Sequence, residues 1–309
     1  MQVDYVLILA AGKGTRMGKA GEVLPKVLWP IFEKSLIELQ VEYAKTFNPN
    51  KIFINLFHEK DSLEERILNK IDDELVELVK EDEKLDIGGA IHNIASKVNY
   101  KGKLLIINAD QFIMLSDEVI EEFSKKTDQS AVCLLSYSVD KLDGYNALEI
   151  IDGKFKGIIQ NSDVQSKAFD TYTGMSCINL DKLEKVSGES KFFSSIANPN
   201  KRDVSVLNIE TSRYWDFGTI HRYYKSMFLI VDALNATDLD PFVEFLKSCD
   251  AINGDKIGQG GYGAGEGIID LGKNKPLVKN TIYLAQSNII PTERYSIIGP
   301  ETEDLVVLN

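Results

Sequence analysis

The chain has 309 residues, 44% hydrophobic and 27% charged, a balance that belongs to a folded protein with room for one large domain and a smaller appendage. Its formal net charge of -12 works against attraction to nucleic acid or an anionic membrane surface, so an anionic substrate needs local cations from side chains or a bound metal. No apolar run approaches the roughly 20 residues of a membrane span, and the chain enters its first strand without a basic leader, so the expected location is the cytoplasm with no membrane partner.

Strands and helices alternate through the first half. Residues 5–10, 51–57, 76–80 and 104–108 read as strands, apolar or β-branched, while Ser35 and Glu38 form a capping box for a helix reaching about residue 47. Asp61 with Glu64 opens another helix, to about residue 70. Such alternation predicts an α/β fold built on a mostly parallel sheet with helices on both faces. The middle differs: residues 131–138 read as a strand, and 147–159 as two strands turned by Asp152-Gly153, an inserted β-hairpin lobe over the far end of the sheet. Residues 221–233 and 242–247 are helical in pattern. Residues 254–267 are dense in glycine and predict a turning connector, followed by short β-like pieces at 281–284 and 295–298. Leu271-Gly272 and Ile298-Gly299 hint at stacked β-helix coils.

The first strand runs into Ala10-Ala11-Gly12-Lys13-Gly14-Thr15-Arg16-Met17, with Pro25-Lys26 beyond. Small residues and glycines after a buried strand let main-chain N–H groups approach phosphates, and Lys13, Arg16 and Lys26 supply the opposing charge. The spacing of Gly12, Gly14 and Gly18 is not that of a Walker A loop, and Met17 stands where the dinucleotide fingerprint needs glycine.

The string from Leu9 to Met17, followed by Pro25-Lys26, resembles the opening of the sugar nucleotidyltransferases, the nucleotide-sugar pyrophosphorylase family. The resemblance runs to about residue 230. It implies a Rossmann-like nucleotidyltransferase domain over residues 1–235 and leaves residues 236–309 as a C-terminal appendage of unassigned role. The implied reaction joins a nucleoside monophosphate from a nucleoside triphosphate to a sugar 1-phosphate and releases pyrophosphate. Phosphate oxygens are already nucleophilic at neutral pH, so the chemistry demands positioning and charge neutralisation rather than a general base. Arg16 is suited to clamp the leaving pyrophosphate and Lys26 to reach the α-phosphate or the incoming phosphate. Leu9, Ala10, Ala11, Gly12, Gly14 and Thr15 would line the nucleotide.

Asp110 follows an apolar strand, and Asp216 lies in Trp215-Asp216-Phe217-Gly218-Thr219; the family carries a metal-binding Asp at both places, which implies Mg²⁺ as cofactor. Leu85-Asp86-Ile87-Gly88-Gly89-Ala90 resembles the family's loop against the nucleobase, with Asp86 and Ile87 where Gly and Thr are usual, and a helix is expected from about Ala90. Gly88 would then lie against the base. Glu81 falls where the family reads the base's Watson–Crick edge. A carboxylate accepts only, which suits N1–H and N2–H₂ of guanine and less fully the single N3–H of uracil.

Tyr145-Asn146-Ala147-Leu148-Glu149 stands where the family often has Tyr-Gly-Val-Val-Glu, and Asn146 can tolerate the left-handed backbone that glycine would take. With Glu149 and Gly174 it would bind the sugar. Gln160-Asn161-Ser162-Asp163 replaces the family's Glu-Lys pair, which turns attention to Lys167, Arg202 or Arg213 for the acceptor phosphate. His58, His92 and His221 lack metal-ligand spacing, Trp29 and Trp215 read as core, and Cys133, Cys177 and Cys249 as buried hydrophobes rather than a disulfide framework. A cytidylyltransferase acting on a phosphorylated amino alcohol such as phosphocholine, with Tyr172 and Trp215 facing the cation, and a catalytically silent regulatory subunit are the alternatives. A homo-oligomer is compatible with each.

Overall fold

A computed structural model describes residues 1–12, 17, 21, 24–57, 61–81, 83, 85–209, 214–234, 236, 240–253, 262–263, 268–271, 279–284, 296–298 and 305–307. The strands and helices, in chain order, begin with β1 (Tyr5–Leu9), β2 (Pro30–Ile31), β3 (Lys34–Ser35), α1 (Leu36–Lys45), β4 (Lys51–Phe57), α2 (Asp61–Leu68), β5 (Val76–Glu81), α3 (Asp86–Lys97) and β6 (Lys103–Asn108). There follow β7 (Gln111–Ile113), α4 (Asp117–Gln129), β8 (Val132–Asp140), β9 (Ala147–Ile151), β10 (Lys154–Ile159), β11 (Ala168–Asn179), β12 (Val204–Asn208), β13 (Tyr214–Asp216), α5 (Ile220–Leu234) and α6 (Pro241–Ser248). Among the described residues beyond α6 there are five short strands: β14 (Tyr262–Gly263), β15 (Ile268–Asp270), β16 (Thr281–Tyr283), β17 (Ser296–Ile298) and β18 (Leu305–Val307).

Proximity groups the chain into two compact units, each assembled from distant segments: Met1–Gly12, Tyr43–Ala109 and Leu115–Tyr214 in one, Lys13–Glu42, Asp110–Met114 and Trp215–Asn309 in the other.

The first unit is organised on a nine-stranded mixed sheet in the order β5-β4-β1-β6-β11-β8-β12-β10-β9. The run β5-β4-β1-β6 is parallel throughout, the architecture of α/β proteins. β1 and β6 are buried along their middles, which is why both read as unbroken apolar runs. Leu7, Phe53, Ile91, Ile94, Ile106 and Ile178 are at most 3% exposed and share one core; each such side chain contributes about 1.5–3 kcal/mol relative to exposure. β11 then pairs antiparallel with both β6 and β8. The Asp152-Gly153 turn has φ of +51° and +71°, the left-handed pair that a two-residue hairpin requires. The hairpin it closes, β9–β10, supplies the last two strands of the large sheet.

In the second unit, Glu38 accepts from the Ser35 N–H at 2.8 Å and from its hydroxyl at 2.5 Å, the capping interaction that starts α1. Trp29, Phe112, Phe217, Tyr223 and Phe242 are completely buried. Trp29 meets Tyr223 edge-on at 4.9 Å and donates its indole N–H to Leu24 O at 2.7 Å. The C-terminal strands form a separate sheet in the order β14-β15-β16-β17-β18, in which β15, β16 and β17 are parallel. Ile269, Ile282 and Ile297 share one register across those three strands and are all buried, an apolar ladder in keeping with stacked coils. Most of the glycine-dense stretch 254–267 lies outside the described residues.

Candidate active site

Asp110 comes two residues after β6 and leads into β7. Its main-chain carbonyl accepts the Phe217 N–H at 2.8 Å, which registers the start of β7 against the end of β13. Ser226 on α5 donates its hydroxyl to the Asp216 carbonyl at 2.9 Å. Trp215 stacks on Phe242 at 5.1 Å, so both neighbours of Asp216 are anchored in aromatic packing and the carboxylate is set between them. Asp110 is 9% exposed and Asp216 is 7% exposed.

Each acid is already met by a cation. Lys26, the first residue of a single 3-10 turn after Pro25, places Nζ 2.5 Å from Oδ2 of Asp110. Arg222 donates from Nη1 to Oδ2 of Asp216 at 2.8 Å, and the Gly218 N–H donates to Oδ1 at 2.7 Å. Arg222 sits in the first turn of α5, beside Thr219, whose hydroxyl accepts the Arg222 N–H at 3.2 Å. The helix dipole disfavours a cation at that end, and pairing with Asp216 offsets the penalty.

Gly218 reveals how the two acids are aimed. A Cβ added there would lie 2.9 Å from Asp110 Oδ2 and 2.9 Å from Asp216 Oδ1, so one point is within close reach of both carboxylates. Two hard, mostly buried oxygen donors converging in this way fit a divalent cation of the Mg²⁺ type. Among the described residues no cluster of three or more His, Cys, Asp and Glu side chains exists, so the other ligands would be water and phosphate, as is usual for Mg²⁺.

In the first unit a second polar chain runs across the carboxyl ends of three parallel strands. The Ala10 N–H donates to Oδ1 of Asn55 at 2.8 Å, and Nδ2 of Asn55 donates to Oε1 of Glu81 at 2.6 Å. Glu81 is 5% exposed, and burial raises its pKa against the opposing effect of the Asn55 hydrogen bond. Leu9 pairs with Asn55 on one side and Asn108 on the other. Ala11 is half-buried and Gly12 exposed, with nothing near the place of its missing Cβ. Lys13, Gly14, Thr15 and Arg16 lie outside the described residues, as do Gly18, His58 and Arg213.

Gly88 and Gly89 are used differently from the sequence expectation. α3 begins at Asp86, four residues before Ala90, so both glycines lie in its first turn. A Cβ on Gly88 would strike Ser195 Oγ and come within 2.6 Å of the Ser190 carbonyl; one on Gly89 would approach the Gly188 carbonyl at 2.5 Å. The Gly89 N–H donates to Ser190 O and the Ser190 N–H to Leu85 O, both at 3.0 Å. The demand for glycine at 88 therefore comes from close main-chain packing inside the protein. Asp86 has φ of +55°, which explains why glycine is usual at its place, and its own carboxylate accepts the Ile87 N–H at 2.6 Å.

Asn146 does not use the left-handed backbone that it could tolerate. Its side chain instead accepts the Asn161 N–H at 3.0 Å, and its carbonyl accepts the Thr171 hydroxyl at 2.8 Å. Asn161 in turn donates to the carbonyls of Lys141 and Tyr145, so the residues replacing the Glu-Lys pair brace the turn before β9. Glu149 is exposed on β9, opposite Gly157. Gly174 has φ of +85° at a register shift in β11, a conformation that favours glycine. Tyr172 stacks one face on Phe192 at 5.4 Å and donates to Ser176 at 2.9 Å, and Trp215 is core, as expected. Arg202 donates from Nη1 to the carbonyls of Ser195 and Ile196, and Lys167 is exposed.

The structure thus brings Lys26, Asp110 and Asp216 together, and joins Ala10 to Glu81 through Asn55. Sequence reasoning missed Asn55 and Arg222. Each left a signal: a lone amide inside the apolar run of β4, and a cation in the first turn of a helix.

Residues 6–146 match the model of the MobA-like NTP transferase domain. The bifunctional protein GlmU of Buchnera aphidicola subsp. Schizaphis graminum is 29% identical over 66% of this chain and 46% of its own length, and GlmU of Prochlorococcus marinus is 31% identical over 59% and 41%. The chain therefore spans less than half the length of these curated relatives. Among solved structures, HddC from Yersinia pseudotuberculosis complexed with GMP-PN superposes with a TM-score of 0.61 at 22% identity, over 73% of this chain and 98% of that one. A UDP-glucose pyrophosphorylase complexed with UDP-glucose gives 0.59 at 17% identity, over 75% and 99%. These likenesses establish a shared fold.

Proposed function

We propose that this chain, whose residues 6–146 match the MobA-like NTP transferase domain, transfers a nucleoside monophosphate from a nucleoside triphosphate to a sugar 1-phosphate. An oxygen of the sugar phosphate attacks the α-phosphorus, the bond from that phosphorus to the bridging oxygen breaks, and pyrophosphate leaves with the electron pair. The observation that carries this reading is the convergence of Asp110 and Asp216 beside Lys26.

Asp110 and Asp216 would hold Mg²⁺. When bound, the cation neutralises phosphate charge and makes the α-phosphorus a better electrophile. Lys26 moves its ammonium from Asp110 to the α-phosphate or the entering phosphate, where charge builds in the transition state. Arg16 binds the departing pyrophosphate, and the main chain of Leu9, Ala10, Ala11, Gly12, Gly14 and Thr15 lies along the triphosphate. Glu81 accepts hydrogen bonds from the base; guanine, with donors at N1 and N2, meets an acceptor-only carboxylate best. Glu149, the backbone turn at Gly174 and Asn146 border the sugar. The cytoplasm, where nucleoside triphosphates and sugar phosphates are available, is the proposed location.

The test is to mix the protein with Mg²⁺, each of GTP, UTP, dTTP, CTP and ATP, and a panel of sugar 1-phosphates, and to follow pyrophosphate and nucleotide sugar together. Release of both in at least one pairing supports the reading. Tight nucleotide binding without release in every pairing contradicts it.

A further inference from the structure

β4 reads Lys51-Ile52-Phe53-Ile54-Asn55-Leu56-Phe57, and Asn55 is its one amide, 4% exposed among buried apolar neighbours. An amide in such a strand is costly unless its polar atoms are met, and here both ends are. The main-chain N–H of Ala10 can be met only by Oδ1, and a carboxylate only by Nδ2, so the amide has a single orientation. Asn55 lies opposite Leu9 of β1, and Glu81 is opposite Phe57, two residues further along β4.

We propose that Asn55 is the positioning residue for base selection, fixing the Glu81 carboxylate and registering it to the first residue after β1. The inference rests on Glu81 reading the base, as put forward above. With Oε1 committed to Asn55, Glu81 presents Oε2 to a ligand donor. Asn55 also favours the accepting form, because its hydrogen-bond donor opposes the rise in pKa that burial gives the Glu81 carboxyl. A protonated Glu81 would present a donor, and its choice among bases would change.

Calorimetric binding in Mg²⁺ of GTP, UTP, dTTP, CTP, ATP and ITP, which lacks the 2-amino group, tests this in the wild type, Asn55→Asp, Asn55→Leu and Glu81→Gln, with thermal unfolding as the check on folding. Asn55→Asp keeps an acceptor for Ala10 but gives up the donor to Glu81; Asn55→Leu keeps the bulk. The wild type is expected to prefer its best nucleotide over the others, GTP over ITP included, by roughly tenfold or more. In a folded Asn55→Asp or Asn55→Leu the preference should collapse to within about twofold while affinity for the triphosphate persists. A folded Asn55 variant that retains the preference overturns the proposal. If Glu81→Gln also retains it, base reading by Glu81 itself is wrong; if only the Glu81 variant loses it, the role of Asn55 alone fails.

Discussion

Lys26 holds Asp110 at 2.5 Å in surroundings where both side chains are largely withdrawn from solvent. Asp110 and Asp216 each have an oxygen 2.9 Å from one point, and at an effective dielectric of about 20 two carboxylates that close repel by about 3 kcal/mol or more. The cations at Lys26 and Arg222 answer that repulsion in the protein without ligand.

Replacing Lys26 with Met removes one of those cations and leaves the acids under-compensated. Without divalent metal, the melting temperature is expected to fall by several degrees, and millimolar Mg²⁺ should recover most of the loss; the wild type should respond much less. Nucleotidyl transfer should drop by about 10² or more because the substrate phosphates lose their counter-charge. A Lys26→Met protein whose melting is unchanged and indifferent to Mg²⁺ would refute the balancing role.

Gly218→Ala puts a methyl group between the carboxylates. It should weaken metal binding and reduce turnover by about 10² or more, while costing about 1–3 kcal/mol of stability as neighbours shift. Metal titration and urea unfolding of one preparation separate the two effects, and unchanged metal affinity would show that the acids aim elsewhere.

His92 is buried against Tyr100, its Nδ1 3.1 Å from the tyrosine hydroxyl, and its pKa is lowered to about 4, first by burial and then by the Arg202 charge. The unfolded chain takes up this proton near pH 6.5, while the folded ring resists until about pH 4, so the unfolded state binds more protons between. Stability from this group is complete above about pH 6.5 and lost as pH falls towards about 4. Glu81, raised by burial, contributes with the opposite sign. Urea unfolding across this range should show a smaller loss on acidification for His92→Gln than for the wild type; equal losses would assign the acid sensitivity to other groups.

What could be read in the chain follows from how local the determining physics is. The Ser35–Glu38 cap and the Asp152-Gly153 turn depend on a few neighbouring residues, and both are found as expected. The alternation of strands with helices foretold the parallel run of β1, β4 and β6, whose apolar sequences fit strands covered on both faces. Gly88 depended on Ser190 and Ser195, about a hundred residues away, so its packing partner was invisible locally. Asn146 could be matched to glycine by motif position, yet its value lies in a hydrogen bond to Asn161 across the hairpin. Arg222 and Asn55 were hidden for the same reason: each is defined by a partner brought close only by the fold.

The most direct measurement of the central claim is electron paramagnetic resonance titration of Mn²⁺, as a stand-in for Mg²⁺, with nucleotide present, on the wild type, Asp110→Ala and Asp216→Ala. The wild type should hold the ion, and each variant should lose affinity by about tenfold or more while keeping its thermal unfolding transition. Equal Mn²⁺ affinity in all three would contradict a cation held jointly by these two acids.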